Sequence, residues 1–179
     1  MPLKLSKNMD EVCYPFIQES SCLCDFEVIT DELCAQIGGV LAYLGDEFSD
    51  LRADLEQLQP LAFHLNGSVR GRLAIEEADL QWLNGRLRHY CTELGERLHR
   101  FVLPRGAVPV PQLNQARSNA KKAIRALVRV DQEGKQVAAI LPRLCNLMCN
   151  FFFVLTLVVN QRRGFVETAF VSKSYGAPS

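Results

Sequence analysis

The chain has no surplus of either charge: its 179 residues carry 20 Lys and Arg against 20 Asp and Glu. Broad, sequence-blind binding to nucleic acid or to an acidic membrane depends on a cationic excess that releases counterions, so neither is expected as a partner. Histidine is scarce, and His64, His89 and His99 are too dispersed for a helical metal pair; no metal site is expected. Strand-like alternation is nearly absent. No apolar run reaches the roughly twenty residues of a bilayer span. The most apolar stretch, Leu147 to Val159, is broken by Asn150 and Thr156 and reads as a buried core helix.

What is present is an ordinary globular composition, 48% hydrophobic, in a chain of single-domain size that buries roughly two thirds of its unfolded surface without disulfide or metal. Its 7 cysteines are odd in number and irregularly spaced, and no charged start with an apolar middle precedes them. Reduced thiols in the cytoplasm are therefore expected. Cys145 and Cys149 lie one helical turn apart and Cys22 and Cys24 are near neighbours, but helical cysteine beside Leu and Phe behaves as a small hydrophobe.

Apolar residues recur every three or four positions, the helical period. The pattern predicts helices from Thr30 to Tyr43, from Ser49 to Leu65 with Pro60 inside, from Glu76 to Leu98, from Pro109 or Pro111 to Val130, and from Lys135 to Asn160. The last is apolar nearly all round, so it is expected at the centre. Short connections make this an all-α, five-helix bundle. The expected organisation is an irregular arm over 1–28, the bundle over 29–161 and a tail over 162–179, where a short strand or an ordered arm is open.

The charges are unevenly placed. Asp25 to Glu56 holds nine acidic residues and one basic, Arg52, whereas Arg97 to Val130 holds eight basic residues and no acidic one. On the fourth helix Arg117, Lys121 and Arg125 are four apart and fall along one flank, with Lys122 and Arg129 further round the same side. On spacing alone such a wall reads first as a solvated face or as ion pairs with the acidic first helix, and second as a seat for a polyanion.

Three motifs carry a resemblance. Phe101-Val-Leu-Pro-Arg-Gly-Ala with Ala116-Arg117, Thr30-Asp31-Glu32-Leu33 with Ile37-Gly38, and Asn146-Leu-Met-Cys-Asn150-Phe-Phe resemble, in order, signatures of the propanediol-utilisation type of ATP:cob(I)alamin adenosyltransferases. The resemblance spans about Phe26 to Asn160. It implies a ferritin-like five-helix bundle assembling as a homotrimer, with active sites between subunits. It also implies the reaction: the 5′-deoxyadenosyl group of ATP, with Mg2+ on its phosphates, moves to the cobalt of a reduced corrinoid (cobalamin).

By the same resemblance Phe101 fills the lower face of cobalt, Arg117 binds nucleotide, and Asp31 pairs with that arginine across the subunit boundary. Lys121, Lys122 and Arg125 match phosphate-binding positions; Asn146 and Asn150 match polar positions near nucleotide and corrinoid. On residue type alone, Phe101 is an anchor for its turn and the two asparagines are partners in interhelical hydrogen bonds. The chain departs from the family pattern on the nucleotide side. It has no glycine before Gly38, lysines where the paired arginines stand, Ile124 in place of a glutamate, and Arg105 and Ala107 around a single Gly106. Lysine keeps charge but loses the planar fork that grips phosphate. The expectation is a diverged member whose corrinoid side is better kept than its ATP side, the alternative being a non-catalytic corrinoid or tetrapyrrole carrier.

Overall fold

The computed structural model of the chain describes residue 4, residues 6–99 and residues 101–174. Arg100 of the basic run, the side chain of His99, and the ends of the expected arm and tail lie outside the described residues. Five long helices are present: α1 (Cys22–Tyr43), α2 (Ser49–Ser68), α3 (Glu77–Leu94), α4 (Val110–Gln132) and α5 (Ile140–Arg162), with short 3-10 turns at Met9–Glu11, Asp46–Phe48 and Gly95–His99. Among the described residues there is no strand, and the tail makes one isolated antiparallel bridge, Val102 with Ala169.

Packing follows the apolar stripes. α1 lies between α2 and α4, and α5 packs on α4, α3 and, more lightly, α2. This makes α5 the central helix, as its all-round apolarity requires. Its length and hydropathy would suit a membrane span, but Leu144, Phe151, Phe152, Leu155 and Val158 are fully sealed inside the bundle.

Four helix ends differ from the sequence reading, each for a local reason. α3 stops at Leu94, not Leu98, because Gly95 takes φ +54° and the chain tightens into the 3-10 turn Gly95–His99. α1 begins at Cys22, not Thr30, because Ser21 caps it: its Oγ accepts from the Leu23 N–H at 3.2 Å. Glu133 seals the same end, accepting from the Cys22 N–H at 2.8 Å and from the Ser21 hydroxyl at 2.6 Å. Thr30 is buried in mid-helix and donates its hydroxyl back to Phe26 O at 2.8 Å, the alternative use of a residue that also caps. α2 runs past Asn66 and Gly67 to Ser68; the Asn66 amide crosses to the Thr30 hydroxyl at 3.1 Å instead of ending the helix. α5 starts at Ile140, not Lys135, since Gly134 takes φ +78° and Lys135 donates to the Ser21 hydroxyl at 2.8 Å.

A buried polar knot ties α2 and α3. Tyr90, fully buried, donates its hydroxyl to Asp54 Oδ2 at 2.6 Å, and Arg86 Nε reaches the same carboxylate at 2.9 Å. Arg162, at the end of α5, forks onto Asp50 and Glu93 at 2.7–2.8 Å. The Arg162 fork ties the end of α5 to the start of α2 and the end of α3.

Candidate functional site

At the seam of α4 and α5 the chain opens a groove of about 370 Å3. α4 contributes Arg117 and Lys121, α5 contributes Cys149, Asn150 and Phe153, and the connection after α3 brings Leu98 and Phe101. Phe101 is 73% exposed, far more than an aromatic that merely anchors a turn. Phe153 was not named from sequence, Leu98 was named only as the end of a helix, and Cys149 was read as a small hydrophobe and not as a groove residue. Cys149, Asn150 and Phe153 share one helical face by their spacing, a signal hidden in a helix that is apolar nearly all round.

The turn that carries Phe101 is riveted to the end of α5. Asn160 donates its amide to Arg105 O at 3.0 Å, and Arg163 donates to Val108 O. Gly106 is required by this close approach: a methyl group there would collide with Asn160 Oδ1 and stand 2.9 Å from the Val110 side chain. Behind Phe101 the tail adds main-chain bonds, Leu103 N–H to Thr168 O and Phe170 N–H to Phe101 O, each 2.9 Å.

The electrostatics single out α4. Arg70, Arg86, Arg143, Arg162 and Arg163 are all paired with carboxylates. Among the described residues Arg117, Lys121, Lys122 and Arg125 make no hydrogen bond or ion pair within the chain. Arg117 Nε is buried without a partner, and its guanidinium lies 5.4 Å from the centre of the Phe153 ring. Ion pairing with the acidic first helix accounts for Arg129, which reaches Asp25 at 3.8 Å, and not for these four. Burial pushes the Cys149 thiol up, with Lys121 and Arg117 acting in the opposite sense.

The basic residues do not share one side. Each step of four advances about 40° around a helix, so α4 fans its cations from the α5 edge to the α1 edge. Lys121 faces the Phe101 groove, whereas Lys122 lines a separate polar groove of about 580 Å3 with Glu32, Gln36 and Asn119. Arg125 is exposed and lines neither groove. Asn150 is exposed in the Phe101 groove. Asn146, a turn earlier, is exposed and donates to Pro142 O of its own helix at 2.8 Å, so it makes no interhelical bond.

Asp31 is exposed in a third groove, of about 460 Å3, walled by Tyr14, Ile17, Val28 and Phe63. Within one chain it therefore does not meet Arg117. The arm beside it is bolted down: Arg70 forks onto buried Glu27 at 2.8 and 3.0 Å, also pairs with Glu19, and covers the Phe16 ring at 4.0 Å. Burial, with the Glu27 carboxylate nearby, raises the Tyr14 phenol to about 12.

Against known proteins, the sequence profile of the family described as cobalamin adenosyltransferase matches residues 18–159. A cobalamin adenosyltransferase of Cupriavidus metallidurans is 34% identical over 137 residues, covering 75% of this chain and 72% of that protein. Similar solved structures include variants of a PduO-type ATP:corrinoid adenosyltransferase from Lactobacillus reuteri. A phenylalanine-to-alanine variant complexed with cobalamin and ATP has a TM-score of 0.77 at 18% identity, covering 86% of this chain and 88% of that one. An arginine-to-lysine variant complexed with ATP has a TM-score of 0.77 at 20% identity, covering 86% and 89%. At such identities the structures speak to the fold.

Proposed function

Because the chain belongs to the cobalamin adenosyltransferase family, we propose that it binds a reduced corrinoid against Phe101 and transfers to it the 5′-deoxyadenosyl group of ATP, at a site completed by a second copy of the chain. The observation that carries this reading is the groove itself, where exposed Phe101 and half-buried Phe153 meet the unpaired cations Arg117 and Lys121. A corrinoid supplies a cobalt nucleophile once its lower ligand is gone, and ATP supplies the alkyl group and the triphosphate leaving group.

The residues suit these tasks. Phe101 offers an apolar ring where a lower ligand or water would otherwise sit, which favours the ligand-free metal. Arg117 and Lys121 present positive charge already in place for a departing polyphosphate, so little reorganisation is needed. The orphaned Nε of Arg117 is a donor awaiting an acceptor. Asp31 and Arg117 line separate grooves of one chain, which supports their pairing between copies in a homotrimer. Lys122, Arg125, Asn146 and Asn150 are proposed as further contacts to phosphate and corrinoid from that neighbouring arrangement.

A second reading is favoured by the arm. Its route is fixed by Arg70, Glu19, Glu27 and Phe16, and it walls Asp31 with apolar side chains, so a non-catalytic corrinoid carrier fits the same groove. An anaerobic assay separates the two. Cobalamin reduced to Co(I) is mixed with Mg-ATP and followed by its visible spectrum and by triphosphate release. Both signals are expected from the transferase. A corrinoid-induced spectral change with neither triphosphate nor calorimetric ATP binding selects the carrier, and no corrinoid binding removes both.

A further inference from the structure

Residues 165–170 are held, main chain to main chain, against the turn whose Phe101 faces the groove. After α5 the chain reverses at Gly164, with φ +65°, and the Phe165 N–H closes the helix end on Asn160 O at 2.8 Å. It then runs antiparallel to 101–103, through the Val102–Ala169 bridge and the two 2.9 Å bonds that flank it. The Phe170 and Phe101 rings lie 5.6 Å apart at an interplanar angle of 51°, a tilted aromatic contact worth having at a half-exposed site.

One ion pair on this strap is incomplete. Glu167 has a side chain only 11% exposed, and its Oε1 has no hydrogen-bond partner. Arg97, in the turn that also carries the groove residue Leu98, has a buried Nη1 that is equally unpaired. The two groups stand 4.0 Å apart, about 1 Å beyond a charge-assisted hydrogen bond. The Glu167 carboxylate is nearly out of water while the Arg97 side chain is 40% exposed, so closing that gap gives the carboxylate the donor it lacks.

We propose that this strap sets the position of Phe101 against the corrinoid groove, with Phe170 as a positioning residue acting through the Phe101 ring and Arg97–Glu167 as a latch that closes when the groove is filled. The inference rests on Phe101 being the corrinoid-facing residue. In the open position Phe101 is backed by one ring contact and one main-chain bond. Closure draws 167–170 toward Leu98 and presses the Phe101 ring into the groove, where it excludes a lower ligand from the cobalt.

The test uses cob(II)alamin with the full chain, reading the visible signature of corrinoid that has lost its lower ligand, together with amide exchange at Leu103 and Phe170. Phe170→Ala and Glu167→Gln are expected to lower the ligand-free fraction of bound corrinoid by about tenfold or more, the scale on which an ångström of misplacement tells, with total binding changed much less. Phe170→Tyr should restore it, and Val166→Ala, at an 84% exposed position, should leave it alone. In the wild type, corrinoid should slow exchange at both amides, and Glu167→Gln should abolish that slowing. An undiminished signature in both variants, or exchange indifferent to Glu167, overturns the latch while leaving the corrinoid site standing. A wild type that binds no cob(II)alamin fails at the earlier step, and the strap's role falls with it.

Discussion

The guanidinium carbon of Arg117 on α4 stands 5.4 Å from the centre of the Phe153 ring on α5, and the Nε beneath it is buried with no acceptor. A flat cation resting on an aromatic face keeps its fork in one plane with its remaining donors free. The proposed nucleotide site draws on those free donors.

Replacement of Arg117 by lysine keeps the charge and loses the fork. Turnover with ATP and Co(I) cobalamin should fall by about a hundredfold or more, measured by steady-state triphosphate release, while the melting temperature stays near the wild type because no intramolecular ion pair is lost. Asp31→Arg should reduce the sedimenting species to a smaller one, and the double variant Asp31→Arg with Arg117→Asp should restore the assembly. A restored partner pair in separate copies is the outcome a site between subunits requires.

Phe101→Ala should abolish the spectral change of bound cob(II)alamin. Since the ring is 73% exposed, stability should move by less than about 1 kcal/mol. Urea denaturation of the same variant separates a lost wedge from a lost fold.

Cys149 lies half-buried in the groove, whereas burial drives the Cys145 thiol up to about 12. Alkylation mapped residue by residue should show Cys145 inert and Cys149 slow, with Cys149 slowed further when cobalamin is present.

Tyr90→Phe deletes a hydroxyl that donates to buried Asp54 at 2.6 Å. Arg86 still satisfies that carboxylate, so the expected cost is about 1–2 kcal/mol in chemical denaturation. Corrinoid binding should be unchanged, because the knot lies between α2 and α3.

The Ser21 hydroxyl, followed by the Cys22 main chain and thiol, lowers the Glu133 carboxyl from 4.5 to about 2. A carboxyl whose folded-state value is depressed stabilises the fold fully above the ordinary value and loses that contribution as pH falls toward the folded one. The melting-temperature difference between wild type and Glu133→Gln should therefore be constant above pH 4.5 and shrink between 4.5 and about 2. A difference that persists unchanged through that window would show that the cap carries no proton linkage.

The helix count, the central place of α5 and the cationic character of α4 were legible in sequence, because an apolar stripe of helical period has one economical way to be buried. Helix ends were less so. Thr30 and Ser21 are both capping residues by type; the helix starts at Ser21 because Glu133, 112 residues on, accepts from its hydroxyl, and no local window contains that partner. The motif residues Phe101, Arg117, Lys121 and Asn150 were named from sequence and do share one groove. Lys122 and Asp31, named with them, line others.

Composition and spacing thus decided the bundle and the cationic character of α4, since both follow from which side chains must leave water and which must stay in it. Only the folded chain decided the groove's full lining. It turned Cys149 and Phe153 toward Arg117, bound the tail behind Phe101 and split the cations of α4 between two faces. Those choices depend on distances between residues far apart in the chain, and a one-dimensional pattern holds no record of them.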